Sequence, residues 1–170
     1  MRLEITRRSD LATRSLIALG STEFEGRRTK AADLAARVGT SPGFLSQAMT
    51  PLVDRGWVRS EPGPTGGYAV AVDLAGISVL QVIEAVEGST DVTHCVLQNG
   101  PCVAAEPCAL HDPWTVARRH LLASLSATSL SDLVAATDES PDKHGSLSPG
   151  TGKPATTRTI SRNTLRRSGS

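Results

Sequence analysis

Apolar positions along the first two thirds of the chain fall into short stripes of helical period, interrupted once by an alternating stretch. Over residues 9 to 20, SDLATRSLIALG, the residues Leu11, Ala12, Leu16 and Leu19 make one stripe, with Ser9 or Asp10 as a natural cap and Gly20 as a stop. Over Thr29 to Gly39, the positions Ala31, Leu34, Ala35 and Val38 follow the i, i+3, i+4, i+7 rule, and Gly39 suits the helix end. The next stripe, Leu45, Ala48, Met49 and Leu52, opens with Ser41 as cap and Pro42 at the first helical position, where its missing N–H has no helical partner anyway. Pro51 lies inside this third stripe and removes one backbone bond at a cost of about 3 kcal/mol, so the pattern predicts a kink or an early end near Thr50.

The turn between the second and third stripes is only a few residues long. The third leaves Gly43, Ser46, Gln47 and Thr50 on a face with no apolar duty. Two short helices joined in this way form the helix-turn-helix pattern, whose second helix enters the major groove. After Gly56 the period changes to two: residues 57 to 60 and 68 to 71 read as strands around the turn EPGPTGG, residues 61 to 67, which makes a wing beside the helices.

Helical period resumes over Ser78 to Gly88, where Ser78 and Gln81 make a capping box and Val79, Val82, Ile83 and Val86 share a face. A longer helix is expected over residues 112 to 127, capped by Asp112 and opened by Pro113. Its Trp114, Ala117, Leu121 and Leu125 line one side, and Val116 and Leu122 widen the stripe toward a second buried side, as in a helix that packs on a partner subunit. A short final helix over 129 to 136 returns Leu130, Leu133 and Val134 to the core. From Thr137 onward Ser, Thr, Gly, Pro and Arg dominate, a composition that cannot offset its chain entropy and is expected to be disordered. The fold class is therefore mainly α with a small β-hairpin: one winged helix-turn-helix domain with a long C-terminal dimerisation helix over residues 1–136, then a basic tail over 137–170.

Composition adds one constraint to this picture. Aromatic residues are 3% of the chain and hydrophobic ones 39%, so the core must be aliphatic and of moderate size. No uninterrupted apolar run occurs in the first twenty residues, so neither a signal peptide nor a membrane span is expected, and a cytoplasmic location follows. Charge adds more, because a net +1 conceals an uneven distribution. Residues 1 to 60 carry ten Lys or Arg against six Asp or Glu, a balance of +4, whereas residues 61 to 140 carry two against ten, a balance of −8. A basic front half beside an acidic rear half suits a chain whose front alone meets a polyanion. The last thirty residues return to +5.

All three cysteines, Cys95, Cys102 and Cys108, lie in the segment CVLQNGPCVAAEPCALH that runs from Cys95 to His111. An odd number cannot all pair internally, and thiols persist in a reducing compartment. Thiolates are soft donors that hold iron-sulfur clusters or zinc, and both need a fourth ligand here. The x6 and x5 spacings lack the C-x2-C knuckle of common zinc sites without excluding zinc. No catalytic triad, glycine-rich cofactor loop or second cluster motif is present, which speaks against an enzyme or an electron carrier.

The opening MRLEITRRSDLATRSL, the segment LAARVGTSPGFLSQ, the wing ending GGY, the helix ISVLQVIEAVEG and the three-cysteine loop followed by HDPW occur in one order. Together they resemble the IscR/NsrR, or Rrf-two, family of winged-helix iron-sulfur transcription regulators, over about residues 1 to 136. The resemblance implies a homodimeric repressor on a palindromic double-stranded DNA operator, sensing redox, nitric oxide or iron-sulfur status. Its cofactor would be an iron-sulfur cluster of the 2Fe-2S or 4Fe-4S type, held in a loop over 93–111 by Cys95, Cys102 and Cys108. For the fourth ligand two positions match: His111, as in members that serve iron-sulfur biogenesis, and Asp10, as in nitric-oxide-sensing members, where the carboxylate reaches across from the partner subunit. A thiol- or zinc-based regulator without a cluster is the alternative.

Family wings usually carry an Arg beside the glycine turn, for the narrow minor groove. Here Pro62 and Pro64 occupy that turn and Glu61 flanks it, leaving Arg59 as the nearest cation. Major-groove contacts are expected from Thr40, Ser41, Gly43, Phe44, Ser46 and Gln47, with Gln47 suited to adenine and Phe44 to a thymine methyl or, alternatively, to the core. Arg7, Arg8, Arg27, Arg28 and Lys30 are the expected phosphate contacts.

Overall fold

The computed structural model describes residues 5–21, 26–63, 65–90 and 107–139. The first helix, α1 (Arg7–Gly20), runs through the middle of the fold and packs against most of the later elements. Its cap is Thr6, whose hydroxyl accepts the Ser9 N–H at 3.2 Å, rather than the expected Ser9 or Asp10. The helix starts a turn early because Ser9 is fully buried and its own hydroxyl bonds elsewhere, to Glu87. Gly20 does end the helix. It is the last helical residue, and the missing side chain leaves room for Leu74 and Val134.

The helix α2 (Ala31–Val38) buries Leu34, Ala35 and Val38, and Gly39 closes it in the left-handed conformation at φ 71°, a geometry that favours glycine. Three residues later α3 (Pro42–Asp54) begins, with the Ser41 hydroxyl accepting the Phe44 N–H at 3.3 Å. Its inner face, Leu45, Ala48, Met49 and Leu52, is fully buried. The early end expected near Thr50 does not occur, and the helix continues through Pro51 to Asp54. Buried residues on both sides of the proline hold it in helical register, since fully burying Leu52 alone is worth roughly 1.5–3 kcal/mol.

The hairpin of β1 (Val58–Glu61) and β2 (Gly67–Val70) is antiparallel, in a register that runs from Val58 opposite Val70 to Glu61 opposite Gly67. Thr29, just ahead of α2, exchanges both backbone bonds with Tyr68 at 2.9 Å, so the wing is stitched to the helix-turn-helix. That stitch requires glycine at position 67, where a Cβ would collide with the Thr29 carbonyl.

A 3-10 turn at Leu74–Gly76 leads to α4 (Val79–Glu87), with the expected capping box and Val79, Val82, Ile83 and Val86 facing inward. Next described is α5 (His111–Ala127), which packs on α4, followed by α6 (Leu130–Asp138), which packs on α1. The cap expected at Asp112 is replaced by Leu110, so Asp112 and Pro113 lie inside the first turn, where a proline still removes no helical bond. A second stitch joins α4 to α6: the Val79 N–H bonds the Thr128 carbonyl at 3.0 Å and the Leu130 N–H bonds the Ile77 carbonyl at 2.8 Å. No residue of α5 is buried, and Val116 and Leu121 stay 47% and 48% exposed. Among the described residues, no helix is long and apolar enough to cross a membrane. Almost all of the predicted tail lies outside the described residues.

Candidate nucleic-acid interface and thiol site

The core-facing stripe of α3 dictates what its other side can offer. With Leu45, Ala48, Met49 and Leu52 turned inward, Ser41, Gly43, Ser46, Gln47 and Thr50 are exposed, and a side chain added at Gly43 would meet open space. Thr40 is half-buried in the turn, where its N–H bonds the Ala35 carbonyl at 2.9 Å. The Ser41 oxygen is engaged in capping, so its hydroxyl proton remains available as a donor. Phe44 is half-buried against the core, the second of the two roles expected for it, and its ring lies under the Arg7 guanidinium, 5.8 Å from the ring centroid.

The basic residues expected near DNA lie in three places. Arg7 and Arg8 lean on α3 itself, and Arg8 donates from Nε and Nη2 to the Gln47 carbonyl at 3.2 and 3.1 Å. Lys30 is exposed at the cap of α2, beside the stitch to the wing. At the wing, Arg27, Arg28 and Arg59 border one cleft of ≈ 430 Å³ together with Gly26, Thr65 and Ala69. Arg28 forms an ion pair with Glu61, so the acidic residue flanking the wing turn is neutralised. Arg59 is thus not the sole cation near the wing. The pairing partner comes from the segment before α2, and sequence spacing gives no sign of it.

For the thiol site, Cys95 and Cys102 lie outside the described residues. Cys108 is half-buried, and its carbonyl accepts the His111 N–H at 2.9 Å, which places both residues in the single turn that opens α5. Asp10 sits in the first turn of α1 with its side chain 48% exposed, paired with Arg14 at 3.4 Å. Among the described residues no three His, Cys, Asp or Glu side chains converge on one point, so within one copy Asp10 is not assembled with Cys108 and His111.

Two carboxylates not singled out by sequence spacing anchor the segment that leads to the thiols. Glu87, the last residue of α4, accepts from the Thr6 hydroxyl at 3.0 Å and from the Ser9 hydroxyl, which ties it to the start of α1. Glu84 accepts from the Thr90 hydroxyl at 2.6 Å and the Thr90 N–H at 3.2 Å. These two bonds, the hydroxyl first, hold the Glu84 carboxyl below its ordinary value; partial burial opposes them and the nearby Arg55 charge assists.

The family model for Rrf2, an iron-dependent transcriptional regulator, matches residues 5–136. The chain belongs to the Rrf2 family. That places it among transcriptional regulators rather than enzymes. It is similar to the regulator IscR of Klebsiella pneumoniae strain 342, with 36% identity over 103 residues, or 61% of this chain and 63% of that protein. IscR of Photorhabdus laumondii is 37% identical over an equal length. The chain spans less than two thirds of the length of the curated relatives it matches. Among solved structures, CymR, the global cysteine regulator of B. subtilis, superposes with a TM-score of 0.67 at 24% identity, covering 81% of this chain and all of that one. IscR of T. potens superposes at 0.62 with 22% identity, over 81% and 90% of the two chains. These likenesses establish the winged-helix Rrf2 fold.

Proposed function

We propose that this Rrf2 protein binds a double-stranded DNA operator as a homodimer and changes its affinity with the state of a metal centre in the thiol segment. The observation that carries the reading is the outward face of α3, where Ser46, Gln47 and Thr50 are exposed above a completely buried inner face, with Arg7 and Arg8 resting against the helix. Gln47 is placed to pair with adenine and Phe44 to touch a thymine methyl, while Thr40, Ser41, Gly43 and Ser46 line the rest of the groove surface. Arg7, Arg28, Lys30 and Arg59 supply phosphate contacts, so affinity should fall steeply with salt. The exposed apolar residues of α5 support pairing with a second copy, which sets the distance between two α3 helices across a palindromic site.

Three thiolates from Cys95, Cys102 and Cys108 with a nitrogen or oxygen donor from His111 or Asp10 make a donor set suited to an iron-sulfur cluster, which when bound supplies a redox-labile iron centre. Cys108 and His111 share one turn, which favours His111 from the same copy; the half-exposed Asp10 favours a donor offered to the second copy. Anaerobic purification followed by iron, sulfide and zinc analysis of the wild type, Asp10→Ala and His111→Ala tests this. Iron and sulfide are expected in the wild type, with loss of both in one variant. Zinc without iron would replace the cluster by a zinc- or thiol-based regulator, and a metal-free wild type would remove the metal centre altogether.

A further inference from the structure

Pro51 deletes a backbone donor in the last turn of α3, and in a regular helix that donor would bond the carbonyl of Gln47. The carbonyl is not left to solvent alone. Arg8, on a different helix, aims two donors of one guanidinium edge at that same oxygen, Nε at 3.2 Å and Nη2 at 3.1 Å. We infer that Arg8 is a positioning residue of the groove-facing helix: its guanidinium stands in for the amide that Pro51 lacks and fixes the backbone of Gln47, and so the base-reading side chain, relative to α1. This rests on the DNA-binding reading given above.

The contact has the features of a built joint. Arg8 offers a planar fork of charged donors, and such bonds are stronger and more directional than those of a point charge. Its neighbour Arg7 lies over Phe44, three residues before Gln47 on the same helix. Consecutive side chains of α1 therefore grip two successive turns of α3. At the same end of α1, the Thr6 and Ser9 hydroxyls are held by Glu87, the residue from which the thiol segment departs. Glu87, the first turn of α1, Arg8 and the Gln47 carbonyl thus form one connected series from the end of α4 to the middle of α3. A displacement of the first turn of α1 is carried by Arg8 to the residue that reads the groove.

The competing role for Arg8 is that of a plain phosphate contact, and the two roles separate experimentally. Full-length wild type, Arg8→Ala, Pro51→Ala and the double variant are titrated with a duplex obtained by selection from a random-sequence library, and with an unselected duplex, across a range of salt concentrations. As a positioning residue, Arg8 gives an Arg8→Ala loss of about tenfold on the selected duplex, the scale of one charge-assisted hydrogen bond, with an unchanged salt slope. In the Pro51→Ala background, where the amide returns, the same substitution costs less than about twofold on the same scale. A salt slope smaller by about one, or an equal loss in both backgrounds, overturns the inference and makes Arg8 a phosphate contact. Thermal melting of the four proteins without DNA supplies the independent arm, with Arg8→Ala expected to lower the Tm of the wild type more than that of Pro51→Ala. If no duplex is selected, the DNA-binding reading fails while melting still decides: non-additive shifts uphold the joint, and additive shifts overturn it.

Discussion

Helices α3 and α5 both present a long face to solvent, and they do so for opposite reasons. In α3 the exposed residues include Gly43, Ser46, Gln47 and Thr50, standing over an inner face whose Leu45, Ala48, Met49 and Leu52 are fully buried. The apolar requirement of that helix is met within one copy, so its exposed side is free to serve a polar partner. In α5 no residue is buried, and Val116 and Leu121 remain about half exposed on a helix that packs on α4. Its apolar requirement is unmet within one copy. In the proposed reading, the polar face of α3 serves nucleic acid and the apolar face of α5 serves a second copy of the chain.

The largest effect should come from the inner face of α3. Leu45→Ala opens a cavity among fully buried neighbours and should cost roughly 2–5 kcal/mol in chemical denaturation, enough to threaten the fold itself. On α5, the paired substitution Val116→Asp with Leu121→Asp should leave the helical signal nearly unchanged, because neither residue is buried in one copy, yet convert a dimer to a monomer in sedimentation. A large stability loss with no change of mass would reverse the comparison and make α5 part of the monomer's core. On the outer face of α3, Gln47→Ala should leave folding intact and relax discrimination at one base position by roughly 1–3 kcal/mol, read by titrating duplexes that differ at that position.

The smallest effect concerns Glu84, which ties Thr90 to the end of α4. Its carboxyl lies below the ordinary value of 4.5 chiefly because the Thr90 hydroxyl and then the Thr90 N–H bond the charged form. A depressed native value means that the stabilisation is complete above the unfolded value and is lost as pH falls through the native one. Thr90→Val removes the hydroxyl, so its melting temperature should fall less between about pH 6 and pH 3 than that of the wild type.

The two faces are unequally legible in the amino-acid sequence. Everything that defines α2 and α3 is local: the apolar stripes, Gly39 in the left-handed conformation, Ser41 and Pro42 at the start. The wing announces itself by a change of period, and its strands form one residue later and one residue earlier than the alternation suggests. The features that stay hidden depend on residues distant along the chain. Pro51 reads as a helix breaker because nothing near it reveals that Arg8, thirty-nine residues before Gln47, supplies donors to the vacated carbonyl. Arg28 and Glu61 are likewise thirty-three residues apart. The start of α1 is displaced because Ser9, a good cap by type, is drawn inward to Glu87. The proposed fourth donor has two candidates for a similar reason: His111 is near Cys108 in the chain, whereas Asp10 would be offered by a second copy.

The most direct test of metal-dependent DNA binding is operator affinity in one preparation before and after removal of its metal centre, with the protein kept free of oxygen and the same selected duplex used throughout. The affinities should differ by about tenfold or more between the two states, the scale of a coupling of roughly 1–3 kcal/mol, with the dimer preserved in both. Equal affinity in the two states would contradict it.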